Sequence, residues 1–456
     1  MKIPPKFKKC VLALKKYPLR QSLTALKFLP QVLSRVEKVV LLIFSTLIIF
    51  SVSLIGINDW LQGTKVIPQY GGTMREGIIG ESKDLDKHLG RLLNAGLTKY
   101  DLKKNIVGDM AQSWDINEGG KVYVFHLRPE FRSEDLANRI VSKGIWKDIE
   151  ISTPDEQTLT FIFKQPFSPF LYTSTEPIFE YGPYRISKEG KTGVELTARE
   201  DYFFDKAFID KIVFKFYQSE SELLRAAKRG EIDAFILDQD QPVLENFQKF
   251  EIKLPRDLIL FFNLSRKDLQ DINVRRALKE GASPGKTLEL RLITSDNSKN
   301  VELARNIEAK WSKNGVKVNL EIKDNIDLQK NIIPKRDYDV LLYGLDYGED
   351  PDPYPFWHSS QIKEDGKNLS SFKNAKGDKL LEEARQEFDF SKREEKYNEF
   401  QKIIDAEIPM FVVEHQNLYY QISQDIEGVE SIVGSCETDR FLNISQWYIN
   451  TKRVKK

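Results

Sequence analysis

The chain has 456 residues, with 69 Lys or Arg against 68 Asp or Glu, so its formal net charge is close to zero. The two signs are unevenly placed. Residues 1–38 hold ten basic residues and one acid, and subtracting them leaves 59 basic and 67 acidic residues in the rest of the chain. This acidic excess argues against a nucleic-acid partner, because neutralising phosphate requires a basic face.

Residues 39–58, VVLLIFSTLIIFSVSLIGIN, contain no charged side chain. At 1.5 Å per residue a helix of this length covers roughly 30 Å, the thickness of a bilayer's hydrocarbon core. The run also exceeds the ~7–15 apolar residues of a signal peptide. We therefore predict one uncleaved transmembrane anchor at 39–58, followed by a tether at 59–70.

The basic residues before the anchor predict its orientation. The positive-inside rule keeps residues 1–38 in the cytoplasm and places the long carboxyl-terminal part outside the cell membrane. An alternative role for this tail is to lie on an anionic inner leaflet. The two cysteines, Cys10 and Cys436, then lie on opposite sides of the membrane, so no internal disulfide is expected.

Beyond the tether the pattern is mixed α/β. Runs rich in β-branched and aromatic residues predict strands at 122–127, 158–163, 211–217, 258–264, 288–293, 316–322 and 338–345. Helices are predicted after a capping box at Ser219 and Glu222, before Gly315, and after a second box at Ser391 and Glu394. The helix, Gly and strand succession within 288–345 is typical of a parallel sheet.

No enzymatic motif passes a check of spacing. Residues 281–287 have three residues between their glycines where a phosphate loop needs four, so a surface turn is the better interpretation. The acids within 346–352 lack the Gly and the final Glu of a calcium loop. The four histidines show no metal-ligand spacing. The sequence thus predicts neither catalysis nor a cofactor.

A series of short blocks, in order, resembles the family 5 extracellular solute-binding proteins, which are the peptide, dipeptide and nickel binding components of ABC importers. The blocks lie at residues 71–86, 97–101, 106–117, 123–136, 181–186, 196–203, 209–217, 228–236, 261–265, 271–279, 338–361 and 407–415. The resemblance implies an α/β fold of two-lobe periplasmic-binding-protein type, with an extra subdomain, preceded here by one transmembrane helix. Lobe I would be residues 71–260 and 413–456, and lobe II residues 261–412, with crossing strands at 258–264 and after Pro409.

The resemblance departs from the family after residue 278, where the chain passes almost directly into the strand at Leu288. Pocket segments that relatives carry there are missing, so the ligand class stays open between oligopeptides, nickel complexes, glutathione and sugars.

The resemblance also implies a ligand residue. Asp346 matches the acid that pairs with a peptide's α-amino group in peptide-binding relatives, although an Asp before Gly348 also commonly caps a turn. The further candidates for the cleft are the aromatic residues Tyr347, Tyr354 and Trp357 and the charged residues Arg75 and Glu76.

The resulting hypothesis is a membrane-anchored substrate-binding component of an ABC importer. It would bind oligopeptides without altering them and deliver them to an ABC permease and its ATPase. The alternative is a cell-surface sensor or interaction module of the same fold that is not coupled to transport.

Overall fold

The structure is a computed structural model that describes residues 34–81, 85–146, 149–348, 350, 352–430 and 436–455. Most of the predicted basic tail lies outside these residues. The chain divides into two compact units, one running to Pro68 together with Thr451–Lys456, the other spanning Gln69–Asn450.

The helices in the described part are α1 (Arg35–Gly63), α2 (Asp86–Leu93), α3 (Ser133–Lys143), α4 (Phe170–Thr173), α5 (Glu220–Lys228), α6 (Ile272–Glu280), α7 (Ser298–Ser312), α8 (Asn325–Asp327), α9 (Tyr354–Trp357), α10 (Ala375–Arg385) and α11 (Phe390–Glu407). The strands are β1 (Thr64–Gln69), β2 (Thr73–Ile79), β3 (Thr98–Tyr100), β4 (Ile106–Gly108), β5 (Ala111–Asn117), β6 (Val122–Leu127), β7 (Glu150–Asp155), β8 (Thr158–Ile162), β9 (Tyr184–Gly190), β10 (Gly193–Ala198), β11 (Lys211–Tyr217), β12 (Ala234–Leu237), β13 (Phe247–Phe262), β14 (Leu288–Ser295), β15 (Val316–Lys323), β16 (Val340–Asp346), β17 (Met410–Ser423) and β18 (Asn450–Lys455).

The smaller unit is built on α1, and its Lys38–Gly63 stretch is long and apolar enough to cross a membrane. The hydroxyl of Thr46 donates to the carbonyl of Leu42 within the same helix, so this polar group needs no outside partner. The helix ends at Gly63, and its last turn therefore includes residues expected in the tether. Strand β1 follows directly and pairs with β18.

The larger unit is organised by one ten-stranded sheet in the order β15-β14-β16-β13-β17-β12-β2-β11-β10-β9. Strand β14 runs parallel to both β15 and β16, which confirms the predicted parallel arrangement. At the other end β2 runs parallel to β11 and β12. The long strands β13 and β17 pair antiparallel in the middle and join the two ends.

Separate hydrophobic cores pack against the two ends of the sheet. The core that includes Phe214, Tyr420 and Trp447 lies at the end formed by β2 and β9–β12. The cores around Trp311 and Phe400 lie at the end formed by β14–β16. We call these ends, with their helices, lobe I and lobe II.

A four-stranded antiparallel sheet, β5-β6-β8-β7, forms a further layer attached to lobe I. Its core contains Tyr123, Phe125, Phe161 and Phe170, whose rings pack mostly edge to face. We call residues 95–179, which contain this sheet, the subdomain.

Two local predictions need correction. Strand β13 begins at Phe247, before the predicted start at 258. The earlier part alternates apolar and charged residues up to Leu254, and Pro255 separates it from the apolar run that was predicted. Helix α11 is capped by Asp389, whose carboxylate accepts the backbone N–H groups of Ser391 and Lys392, and not by Ser391 itself. The cap at Ser219 is confirmed, since its side chain accepts the N–H of Glu222.

Candidate ligand site between the two lobes

Three charged residues meet where the crossing strands pass from lobe I to lobe II. Asp346 ends β16 and lies opposite Arg256 of β13. Arg256 Nε donates to Asp346 Oδ2 at 2.5 Å, and its Nη1 donates to Glu437 Oε1 at 2.8 Å. Glu437 opens a 3₁₀ helix of lobe I, so one guanidinium joins carboxylates from both lobes. We call Asp346, Arg256 and Glu437 the triad.

The triad is partly open to solvent. The side chains of Asp346, Arg256 and Glu437 are 48%, 31% and 12% exposed, so the carboxylate of lobe II is the accessible one. Burial lowers the pKa of Arg256, but its hydrogen bonds to Asp346 and Glu437 raise the pKa by more. The guanidinium therefore stays charged.

Asp346 also caps a turn. Its Oδ1 accepts the backbone N–H of Gly348 at 2.9 Å, and Gly348 has a φ of +72°, which favours glycine. The capping interpretation is therefore confirmed. The cap uses Oδ1 whereas Arg256 binds Oδ2, and a carboxylate accepts about four hydrogen bonds, so capacity for a ligand donor remains.

Tyr347 lies beside the triad. Its backbone N–H donates to the carbonyl of Pro255 at 2.8 Å, and its ring meets that of Phe356 edge to face at 5.5 Å. Burial, with the neighbouring charge of Asp257, raises the pKa of the Tyr347 phenol. The structure thus brings Tyr347 and Asp346 together at the crossing.

A contact between lobe II and the subdomain lies beside Asp350. Arg393 Nη2 of helix α11 donates to Asp350 Oδ1 at 2.8 Å, and the same guanidinium lies 5.2 Å from the ring centre of Tyr172 in the subdomain. Burial raises the pKa of Asp350 to about 6, with Arg393 opposing the shift. The buried ion pair thus lies within lobe II, and its guanidinium contacts the subdomain through the ring of Tyr172.

Tyr354 lies at a second contact between lobe II and the subdomain. Its ring stacks on His358 at 4.1 Å and on the Arg385 guanidinium at 3.7 Å. The carbonyl of Arg385 accepts the N–H of Ser168 in the subdomain at 2.9 Å. A cavity of about 370 Å³ lies here, between the Phe163–Phe167 segment and helix α10.

The remaining predicted site residues lie apart from the triad. Trp357 is buried in the lobe II core against Phe261 and Phe372. Arg75 forms a two-point ion pair with Asp233 in lobe I. Contact of these side chains with a ligand remains a prediction.

Glu76 is fully buried in lobe I. Its carboxylate accepts from Arg440 Nε at 3.0 Å and from the Tyr420 hydroxyl at 3.0 Å. Burial raises the pKa of Glu76, and Arg440 opposes this shift. His88 lies 3.4 Å from the same guanidinium, and burial together with that charge lowers its pKa to about 2. This network holds the 3₁₀ helix that begins at Glu437.

A cavity of about 590 Å³ lies elsewhere, lined among others by Lys99, Tyr202, Phe204 and Asn443. All of its lining residues belong to lobe I or the subdomain, so movement of lobe II would not enclose a ligand there. The candidate site is therefore the triad with its neighbours.

The sequence pattern did not identify four residues of these contacts, namely Arg256, Glu437, Asp350 and Arg393. Arg256 precedes an apolar run, so the pattern indicates only that a strand ends there. Glu437 lies 181 positions away from it along the chain, so no local pattern connects the two residues. The one available signal was the density of acids in 346–352, and those at 350 and 352 are paired with arginines.

Comparison with known proteins agrees with this architecture. Residues 132–282 match the family model described as "Bacterial extracellular solute-binding proteins, family 5 Middle". The chain is 22% identical over 427 residues to the probable D,D-dipeptide-binding periplasmic protein DdpA of Escherichia coli K12, covering 71% of this chain and 82% of that protein. It is 21% identical over 509 residues to the oligopeptide-binding protein AppA of Bacillus subtilis 168, covering 84% and 92%.

The solved structure of Bacillus subtilis AppA in complex with a nonapeptide superposes with a TM-score of 0.65 at 17% identity, over 84% of this chain and all of that one. The resemblance to the family 5 solute-binding proteins is confirmed, and so is the two-lobe periplasmic-binding-protein fold. That family consists of solute-binding proteins and not of enzymes.

Proposed function

We propose that this chain is the substrate-binding component of an ABC importer and binds peptides by their free amino end at the triad. The observation that carries the proposal is the position of Asp346, a half-exposed carboxylate at the boundary between the lobes. An ammonium pairs well with a carboxylate when a closing cleft removes both from water. The relatives named for peptide or dipeptide binding support peptides as the ligand class.

The amino-terminal helix supports attachment to the membrane. In this proposal α1 crosses the cell membrane once, and the part of the chain that follows α1 lies outside. A permease with its ATPase takes up the bound peptide. The protein alters no bond of its ligand. A sensor of the same fold would bind the same ligands, and it would differ in failing to stimulate the ATPase of a neighbouring transporter.

The proposal is tested on the full chain in detergent. Native mass spectrometry of protein purified from its own cells should reveal co-purified peptides. Calorimetry should then show that Asp346→Asn weakens binding of free-amine alanine peptides of two to five residues by about 2–5 kcal/mol, because a desolvated charge loses its partner.

N-acetylated forms of the same peptides provide the control. They should bind poorly to the wild type, and the substitution should cost them little more. Equal losses for free and acetylated peptides would leave Asp346 as a turn cap only, and a wild type that binds none of these peptides would contradict the peptide proposal itself.

A further inference from the structure

Strand β18 is fastened to the last turn of α1. Arg453 of β18 donates from Nη1 to the hydroxyl of Thr64 at 3.0 Å, and its guanidinium lies 5.0 Å from the ring centre of Trp60. The Thr64 hydroxyl donates in turn to the carbonyl of Trp60 at 2.6 Å. Strand β18 also pairs with β1, which follows α1 directly. We call β1 and β18 the strand pair.

The strand pair carries positive charge that the protein does not neutralise. Its exposed basic residues are Lys65, Lys452, Arg453 and Lys455. Neither strand contains an acid, and no carboxylate among the described residues forms an ion pair with any of the four. The chain after residue 38 is acidic as a whole, with 59 basic and 67 acidic residues, so this basic surface differs from the rest.

The position of Trp60 sets the depth of this surface when α1 crosses a bilayer. The charge-free run ends at residue 58, and a run of that length fills the roughly 30 Å of the hydrocarbon core. Trp60 then lies at the level of the lipid headgroups, where tryptophan is enriched. Because Arg453 contacts the Trp60 ring, it lies at the same level, and Lys455 follows about 7 Å further along the strand.

We propose that the strand pair is a docking surface for anionic phospholipid headgroups in the leaflet outside the cell. This inference rests on the membrane crossing in the proposed function. Lipid phosphates supply the negative charge that the described carboxylates do not, and Lys and Arg side chains near an anionic membrane surface are attracted to it. Both connections between the two units pass through the strand pair, because the larger unit begins at Gln69 and ends at Asn450. Bound headgroups would thus hold both chain segments that lead to the larger unit, whereas α1 alone holds only the first.

The test uses the full chain in nanodiscs of phosphatidylcholine alone and of equal parts phosphatidylcholine and phosphatidylglycerol. The backbone amides of residues 450–455 should exchange with deuterium more slowly in the anionic bilayer. Salt at about 1 M should abolish this difference, because the Debye length is then about 3 Å.

Native mass spectrometry of the full chain in detergent should show that phosphatidylglycerol binds more tightly than phosphatidylcholine. The double substitution Lys452→Gln and Lys455→Gln leaves the contacts of Arg453 in place. It should lower the preference for phosphatidylglycerol at least about tenfold, since each basic residue near an anionic surface contributes about fivefold.

Lys379→Gln with Lys392→Gln is the matched control. These lobe II lysines are 75% and 64% exposed, and their substitution removes the same amount of charge. The control should leave the deuterium exchange and the lipid preference unchanged. Lys452→Arg with Lys455→Arg keeps the charge of β18 and should also leave both unchanged.

The outcomes separate this inference from the proposed function. Equal losses of lipid preference in the β18 and lobe II double variants would show an effect of total charge and overturn the docking surface. Equal exchange of residues 450–455 in the two bilayers would also overturn it and leave an acidic face of a neighbouring protein as the occupant. In both cases a chain that inserts into nanodiscs and binds peptides keeps the proposed function. A chain that does not insert contradicts the membrane crossing itself, and the inference fails with it.

Discussion

The Asp350–Arg393 pair should make the stability of the protein depend on pH near neutrality. Asp350 Oδ1 accepts from Arg393 Nη2 at 2.8 Å and from the backbone N–H of Asp352 at 3.0 Å. Asp350 Oδ2 is buried without a hydrogen-bond partner among the described residues. Burial is the main cause that raises the Asp350 pKa from 3.8 to about 6, and Arg393 opposes it.

The magnitude follows from this shift. About two pKa units correspond to roughly 3 kcal/mol. Because the folded protein binds this proton more tightly than the unfolded chain, the stabilisation is complete below the unfolded pKa and is lost as the pH rises through about 6. Between pH 7.5 and pH 5 the linkage relation gives about 1.4 kcal/mol of this difference.

The neighbouring groups should not obscure the effect. Burial raises the pKa values of the nearby phenols of Tyr123, Tyr172 and Tyr397, so none of them ionises in this range. Arg393 stays charged, because Asp350 and Tyr397 raise its pKa against the effect of burial.

The assay is urea unfolding of the ligand-free chain, with wild type compared to Asp350→Asn at each pH. The free energy of unfolding of the variant minus that of wild type should fall by about 1.4 kcal/mol between pH 7.5 and pH 5. Asp365→Asn is the control, because that lobe II carboxylate is 81% exposed and should give a difference independent of pH. A constant difference for Asp350→Asn, or one of opposite sign, would refute the reasoning by showing that Arg393 outweighs burial.

The sheet could largely be predicted because its strands carry their own pattern. The runs at 122–127, 211–217 and 316–322 appear as β6, β11 and β15 with bounds that agree within one residue. Strand β9 was missed, since all but the first of its residues are exposed and no alternation of apolar residues marks it. Local pattern thus identifies strands with a buried or half-buried face, the edge strand β15 included, and overlooks β9, which is exposed along nearly its whole length.

The site could be predicted only in part, for a different physical reason. The prediction of Asp346 as a ligand residue came from a short block of residues that are contiguous along the chain, and it remains a prediction. Its partner Arg256, and the contact of Arg256 with Glu437, depend on pairing between segments that are distant along the chain. The same holds for the contact of Arg393 with Tyr172. The periodicity of a helix or strand does not indicate such pairs, because each residue fits the pattern of its own element whether or not a distant partner is present.

Three further predictions follow from the division of the chain and from its buried charges. Protein truncated to begin at Val66 should be soluble, monomeric and folded under reducing conditions, as judged by light scattering and circular dichroism, and aggregation would contradict the division. Reporter fusions should place the amino end in the cytoplasm and the carboxyl end outside, and the reverse orientation would remove the importer proposal. Glu76→Gln should lower the free energy of unfolding by about 3–5 kcal/mol, because it leaves the Arg440 guanidinium buried without its counter-charge. Glu156→Gln, which breaks an exposed pair with Arg132, should cost under about 1 kcal/mol in the same urea titration. A loss for Glu76→Gln as small as that for Glu156→Gln would show that water reaches the Glu76 pair, and this network would then not hold the 3₁₀ helix that begins at Glu437.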